Sequence, residues 1–206
     1  MSPSSKAKIP LLVVISSPSG GGKTTVIQQL LKRNPEFRRS VSATTRPRRA
    51  GERDGRDYYF LSKRQFRNLV KQKGLVEWAR VHGNFYGTPK DLVDKARRSG
   101  WTVFFSLDVQ GALALKRKYP PAVLIFLLPP SWAELKKRLL NRRSDSGRVL
   151  QVRLRNARQE LKAWKKYDYV LVNLKLPDTV RQIESIIQAE SCRVSRARSA
   201  KISLAV

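Results

Sequence analysis

The 206-residue sequence predicts an α/β fold, with a parallel sheet covered by helices on both faces. Three observations carry that expectation. Short apolar runs at 9–15, 101–107, 122–128 and 169–173 are strand-like, and segments of helical spacing separate them. The first run leads into a glycine-rich turn and then a helical pattern (Val26, Ile27, Leu30, Leu31). The chain can bury a substantial core, yet no apolar stretch reaches the roughly 18 residues a membrane helix needs.

The elements follow in order. Residues 1–8 are Ser/Lys/Pro-rich and read as a flexible lead. The first helix stops before Pro35. Residues 41–58 are dense in Thr, Arg, Gly and Asp and read as short strands and loops. Ser62 with Gln65 forms a capping box for a helix through about Gln72, which Gly74 breaks. Residues 75–85 alternate as a strand does. Thr88-Pro89 with Asp91 opens a helix that Gly100 closes. Residues 101–107 form a strand ending at Asp108, and 109–118 a helix. Ser131 with Glu134 marks another capping box, for a helix toward Leu140. A polar loop at 141–148 precedes a long helix to about Lys165, a strand at 169–173 and a closing helix from Pro177. Residues 191–206 are basic and weakly patterned, and a mobile tail is expected there.

Composition narrows the classes. A single cysteine, Cys192, permits no internal disulfide and fits a reducing cytoplasm. There is no secretory signal and no Cys/His spacing of a zinc site. Lys plus Arg number 43 against 15 acids, a formal net charge of +28. That excess attracts polyanions. It is spread along the whole chain without interleaved aromatic residues, so a solvated basic shell is favoured over a nucleic-acid surface.

Residues 16–25, SSPSGGGKTT, carry the strongest chemical signal. Glycines let backbone N–H groups close around phosphate oxygens, and the following helix offers its positive N-terminal end. Ser17, Pro18, Ser19, Gly20, Gly21, Gly22, Lys23, Thr24 and Thr25 are therefore the expected phosphate-binding loop for a nucleoside triphosphate. Lys23 reaches for the β- and γ-phosphates, and the Thr24 hydroxyl holds Mg²⁺. Position 17, where the full loop pattern has glycine, is Ser; Gly20, Gly21 and Gly22 still supply the permissive backbone.

A second anion site is expected beside it. Arg46, Arg48 and Arg49 lie in a loop-rich stretch with Ser42 and Thr45, and guanidinium forks grip phosphate bidentately. Tyr58 and Tyr86 can donate hydroxyls to that phosphate. Glu77 can accept two hydrogen bonds from the N1–H and exocyclic amine edge of guanine, with Ser42 and Thr88 as hydroxyl partners; from spacing alone the surface-acid reading is favoured. Asp108 ends an apolar strand, where open α/β sheets place ligand groups. It can reach Mg²⁺ through water or the acceptor nucleotide, and it also suits the N-cap of the next helix. Arg138, Arg142, Arg143 and Arg153 border a polar loop that can close over a transferring phosphoryl group.

Taken together, these segments resemble guanylate kinase. The loop at 17–24, SVSATTRPRRAGE at 40–52, DGRDYYF at 54–60, EWARVHGNFYGT at 77–88, LDVQGA at 107–112 and the Arg-rich stretch at 138–153 occur in family order. The resemblance runs from about residue 10 to 190. It implies a P-loop NTPase fold with an inserted GMP-binding lobe and a lid, and the reaction ATP + GMP → ADP + GDP with Mg²⁺. It divides a domain at 9–190 into a core at 9–40 and 98–190, a GMP-binding lobe at 41–97 and a lid at 138–158, with basic tails at 1–8 and 191–206.

Residue by residue, the resemblance implies Ser42, Glu77 and Thr88 as guanine readers. Arg46, Arg49, Tyr58 and Tyr86 become the GMP phosphate clamp, and Asp108 the acid after the central strand. Lys23, Arg142 and Arg153 are the implied catalytic cations. Ser106 stands where the family carries an acid, and Asn173-Leu174 where it carries Asn-Asp. The implied partners are ATP and GMP, with dGMP tolerance and oligomeric state undecided by the sequence. Two other readings stay open: a catalytically weak guanylate-kinase-like binding module, and a related kinase acting on another phosphorylated acceptor.

Overall fold

A computed structural model describes residues 11–81, 83–140 and 147–199. The elements run in the order β1 (Leu11–Ser16), α1 (Lys23–Arg33), β2 (Arg38–Arg39), β3 (Ala43–Thr44), β4 (Tyr59–Phe60), α2 (Lys63–Lys71), β5 (Leu75–Val81), β6 (Asn84–Pro89) and α3 (Lys90–Ser99). They continue as β7 (Thr102–Ser106), α4 (Val109–Lys118), β8 (Val123–Leu128), α5 (Trp132–Leu140), α6 (Gly147–Leu161), a 3₁₀ segment (Lys162–Lys166), β9 (Tyr169–Val172), α7 (Leu176–Ser191) and α8 (Val194–Ser199).

Five strands form an all-parallel sheet in the order β2-β7-β1-β8-β9. β1 lies at its centre with all six residues buried. Successive side chains of a strand point to opposite faces, and the two cores divide accordingly. Leu11, Val13 and Ile15 pack against Val26, Ile27 and Leu30 of α1 and Val180, Ile183 and Ile187 of α7. Leu12 and Val14 pack the other way, against Val93 and Ala96 of α3 and Ala112 and Leu115 of α4. Burial of each such aliphatic side chain contributes roughly 1.5–3 kcal/mol, which explains an unbroken apolar run at the centre of the sheet.

A second sheet, β4-β3-β6-β5, projects from the carboxyl side of the first. β3 pairs parallel to β4, while the β3–β6 and β5–β6 pairs are antiparallel. The strand-like alternation from 75 resolves into two strands, because Gly83 at φ 82° reverses the chain between β5 and β6. Phe66 of α2 is buried with Ala43 and Leu75, closing one face of this sheet. The Ser62–Gln65 capping box forms in both directions.

Two local expectations change. Glu134 N–H donates to Ser131 Oγ, but the Glu134 carboxylate turns to Arg138 instead of back to Ser131, so only half of that capping box forms. The segment from Ser191, expected as a mobile tail, runs through Ser199 as the end of α7 and then α8. The reason is a buried cluster: Arg196, only 9% exposed, donates to Pro121 O at 2.7 Å and Glu190 Oε2 at 3.0 Å. Glu190 also accepts from Tyr169 Oη at 2.6 Å and pairs with Arg193 at 2.9 Å. Residues 1–10, His82, the loop tip 141–146 and residues 200–206 lie outside the described residues.

Candidate active site

A cleft of about 800 Å³ opens between the carboxyl ends of the parallel strands and the second sheet. One wall is the loop after β1. Gly22 takes φ 91°, and a Cβ there would meet Asn173 Nδ2 at 2.7 Å, so only glycine fits. Asn173, just past β9, donates to Gly21 O at 3.1 Å and accepts from Thr179 Oγ1 at 3.1 Å, which pins the loop from behind. α1 begins at Lys23 with no side-chain cap, leaving its first amides to a ligand. Lys23 Nζ folds across the loop, donating to Ser17 O at 2.9 Å and Ser17 Oγ at 3.3 Å.

The opposite wall is built from side chains brought together by strand pairing. Glu77 on β5 sits directly opposite Thr88 on β6, and Thr88 Oγ1 donates to Glu77 Oε1 at 2.6 Å. Glu77 is 7% exposed and Thr88 fully buried. Burial, with the charge of Asp108 nearby, pushes the Glu77 carboxyl up to about 7; the Thr88 hydrogen bonds oppose that rise. Asp108 caps α4, accepting from Gly111 N–H at 2.8 Å. A Cβ on Gly111 would meet Glu77 Oε2 at 2.9 Å, so the first turn of α4 packs directly against the buried acid.

The arginine loop is organised by one carboxylate. Glu52 accepts from Arg46 Nη2 at 2.7 Å and from Arg49 N–H at 2.8 Å. Burial opposes ionisation of Glu52, yet these contacts hold its pKa below the ordinary value. The Arg46 guanidinium lies over the rings of Tyr58 at 5.4 Å and Phe60 at 5.6 Å. Tyr58 and Tyr86 meet edge to face at 6.1 Å. Burial raises the Tyr58 hydroxyl pKa, keeping it a neutral donor.

This loop-and-clamp arrangement has relatives. A guanylate kinase family profile matches residues 10–190. The chain belongs to the guanylate kinase family. It is 48% identical over 189 residues to a guanylate kinase of Syntrophotalea carbinolica, covering 92% of this chain and 90% of that one. It is 46% identical over 197 residues to a guanylate kinase of Rhizobium meliloti, covering 95% and 90%. The crystal structure of guanylate kinase from Anaplasma phagocytophilum superposes with a TM-score of 0.80 at 32% identity, covering 94% of each chain.

Relative to the guanylate kinase expectations, the cleft brings together Ser17, Ser19, Gly20, Gly21, Gly22, Lys23, Thr24 and Thr25 with Ser42, Arg46, Arg49, Tyr58, Glu77, Tyr86 and Asp108. Pro18 is not among the lining residues, and Thr88 lies behind Glu77. Arg142 falls outside the described residues; Arg153 lies on α6, its side chain undescribed. Ser106 and Leu174 both line the cleft, Leu174 with 69% of its surface exposed.

Sequence reasoning missed Glu52, although it stood inside the quoted arginine segment; an acid three residues after Arg49 and six after Arg46 was the available signal. It also missed Glu160 on α6. Burial raises the Glu160 pKa, while Lys23 and the Ser19 N–H draw it down, so this acid faces the phosphate loop. Nothing in the local pattern of a long basic helix marks Glu160. Arg138, paired with Glu134 at 2.8 Å, completes the rim.

Proposed function

We propose that this cleft holds ATP in the loop at 17–25 and GMP against Glu77 and the arginine loop, and passes the γ-phosphoryl group directly between them. The chain is an ATP:GMP phosphotransferase by family. The observation that supports the residue roles best is the buried Glu77 across the cleft from the Lys23 loop. A carboxylate with one oxygen held by Thr88 presents its remaining lone pairs to the N1–H and amine edge of guanine, a donor pair adenine lacks.

In this reading the acceptor lobe spans 41–97 and the lid 138–158, around a core at 9–40 and 98–190. Lys23 exchanges its Ser17 contacts for phosphate oxygens, and the uncapped start of α1 cradles the same group. Arg46 and Arg49, fixed by Glu52, hold the acceptor phosphate with Tyr58 and Tyr86, so that its oxygen faces the γ-phosphorus in line. Ser42 lines the same wall as a third hydroxyl. Arg142 and Arg153 close from the lid over the spreading negative charge, and closure excludes water. No covalent intermediate on the protein is needed.

The donor set fits Mg²⁺ arriving with ATP. Among the described residues no group of three acidic, His or Cys side chains could cage a metal. The Thr24 hydroxyl, and Asp108 through water, are the hard oxygens that a mostly phosphate- and water-bound Mg²⁺ takes. Bound there, the ion neutralises charge on the β- and γ-phosphate oxygens. The lone Cys192 suits a reducing cytoplasm.

Coupled ADP release with ATP-Mg²⁺ and each of GMP, dGMP, AMP, CMP and UMP tests the reading. Turnover confined to guanine acceptors is expected. Equal turnover with AMP, or none with GMP, would contradict it.

A further inference from the structure

β2 is two residues long, and its alternation separates two neighbouring arginines. Arg38 is satisfied locally: it donates to Pro35 O and Phe37 O and stacks over Trp101 at 5.1 Å. Arg39 faces the other way and lines the cleft with Arg46, Arg49 and Tyr58. Its Nε is buried with no hydrogen-bond partner. Its one side-chain hydrogen bond among the described residues is a long contact from Nη2 to Asp57 O, at 3.4 Å. Among the described residues it pairs with no carboxylate.

The acids on the same side of the cleft, Glu52 and Asp57, have other partners. Glu52 holds Arg46 and the Arg49 amide, and Asp57 Oδ2 accepts from Arg53 N–H at 2.9 Å. A guanidinium cannot shed its charge, and unmet donors in a half-buried position are costly. The Arg39 charge also reaches the Tyr58 hydroxyl. A planar fork with donors unmet, on the acceptor side of the cleft and beside a phenol of the phosphate clamp, suits a phosphate monoester.

We infer that Arg39 is a third arginine of the acceptor phosphate site, a residue that contacts the 5′-phosphate of the nucleotide together with Arg46 and Arg49. This rests on the cleft's acceptor half binding a nucleoside monophosphate. Arg39 then sets how strongly the phosphate, as distinct from the base, contributes to acceptor affinity. Its position at the carboxyl end of a strand of the parallel sheet ties that contact to the sheet instead of the arginine loop.

Calorimetric titration of GMP and of guanosine into full-length wild type and Arg39→Met tests this. GMP binding weakens about ten- to hundredfold in the variant, the range of one charged hydrogen-bond set, while guanosine binding stays within about twofold. The melting temperature of the ligand-free variant is unchanged or raised, because an unmet buried cation is gone. Arg39→Gln, which keeps a polar end without the charge, weakens GMP in the same direction. An unchanged GMP affinity in Arg39→Met overturns the inference. So does an equal weakening of guanosine, or a ligand-free protein that melts lower, since those mark Arg39 as a structural tie to Asp57. Wild type that binds AMP as well as GMP would fault the guanine reading alone; the phosphate increment, AMP over adenosine, then judges Arg39 in the same way.

Discussion

The two walls of the cleft are made differently. In the proposed reading the donor wall is one continuous run of sequence with its backbone turned to the ligand, held by Gly22, Asn173 and the start of α1. The acceptor wall is a set of side chains from β3's approach, the arginine loop, β5, β6 and α4, assembled by strand register and by one helix N-terminus. Backbone sites tolerate side-chain variation such as Ser17. Side-chain sites depend on the neighbours that hold them, here Thr88 on Glu77, Glu52 on Arg46, and Gly111 against Glu77.

The largest effect that would sharpen this contrast is Lys23→Met. We predict a fall in turnover of about a thousandfold with GMP affinity retained, read by steady-state rates and by calorimetry. A variant that turns over normally would remove Lys23 from the donor wall. Next comes Glu77→Gln, whose neutral amide replaces one acceptor oxygen with a donor. GMP binding falls by roughly 1.5–3 kcal/mol, tenfold to a hundredfold, and the GMP/AMP preference narrows; an unchanged preference would contradict base reading by Glu77.

Gly111→Ala separates helix physics from site physics. Alanine in a helix favours stability by up to about 1 kcal/mol over glycine. The added methyl meets Glu77 Oε2 at 2.9 Å, however, so GMP KM rises about tenfold while the ATP KM holds. Shortening the acid in Gly111→Ala/Glu77→Asp should recover part of that loss; no recovery would place the effect elsewhere.

A further effect is set by pH. Burial holds the free Glu77 carboxyl near 7, and base reading as proposed needs its ionised form. Affinity is therefore full above pH 7 and lost as pH falls through it, approaching tenfold per unit well below. Guanosine, which carries no titrating phosphate, isolates this term. A guanosine affinity flat from pH 8 to 5.5 would show that Glu77 stays charged throughout.

Legibility in the sequence followed the same division. The parallel sheet, its covering helices and the loop at 16–25 were readable because periodicity and glycine spacing are local signals. Glu77 was not distinguishable from a surface acid by spacing. Its burial comes from pairing opposite Thr88 across a hairpin and from α4 packing behind it, both consequences of tertiary structure. Glu160 and Arg39 were silent for the same reason, one on a basic helix and one in a row of arginines. The tail from Ser191 misled because its order rests on one buried contact set, Arg196 with Glu190 and Pro121, which no periodicity announces.

The most direct test of the two-wall account titrates ATP and GMP separately into Lys23→Met and Glu77→Gln. The account predicts a crossed result: Lys23→Met weakens ATP and spares GMP, while Glu77→Gln weakens GMP and spares ATP. Either variant weakening both nucleotides to the same degree would contradict it.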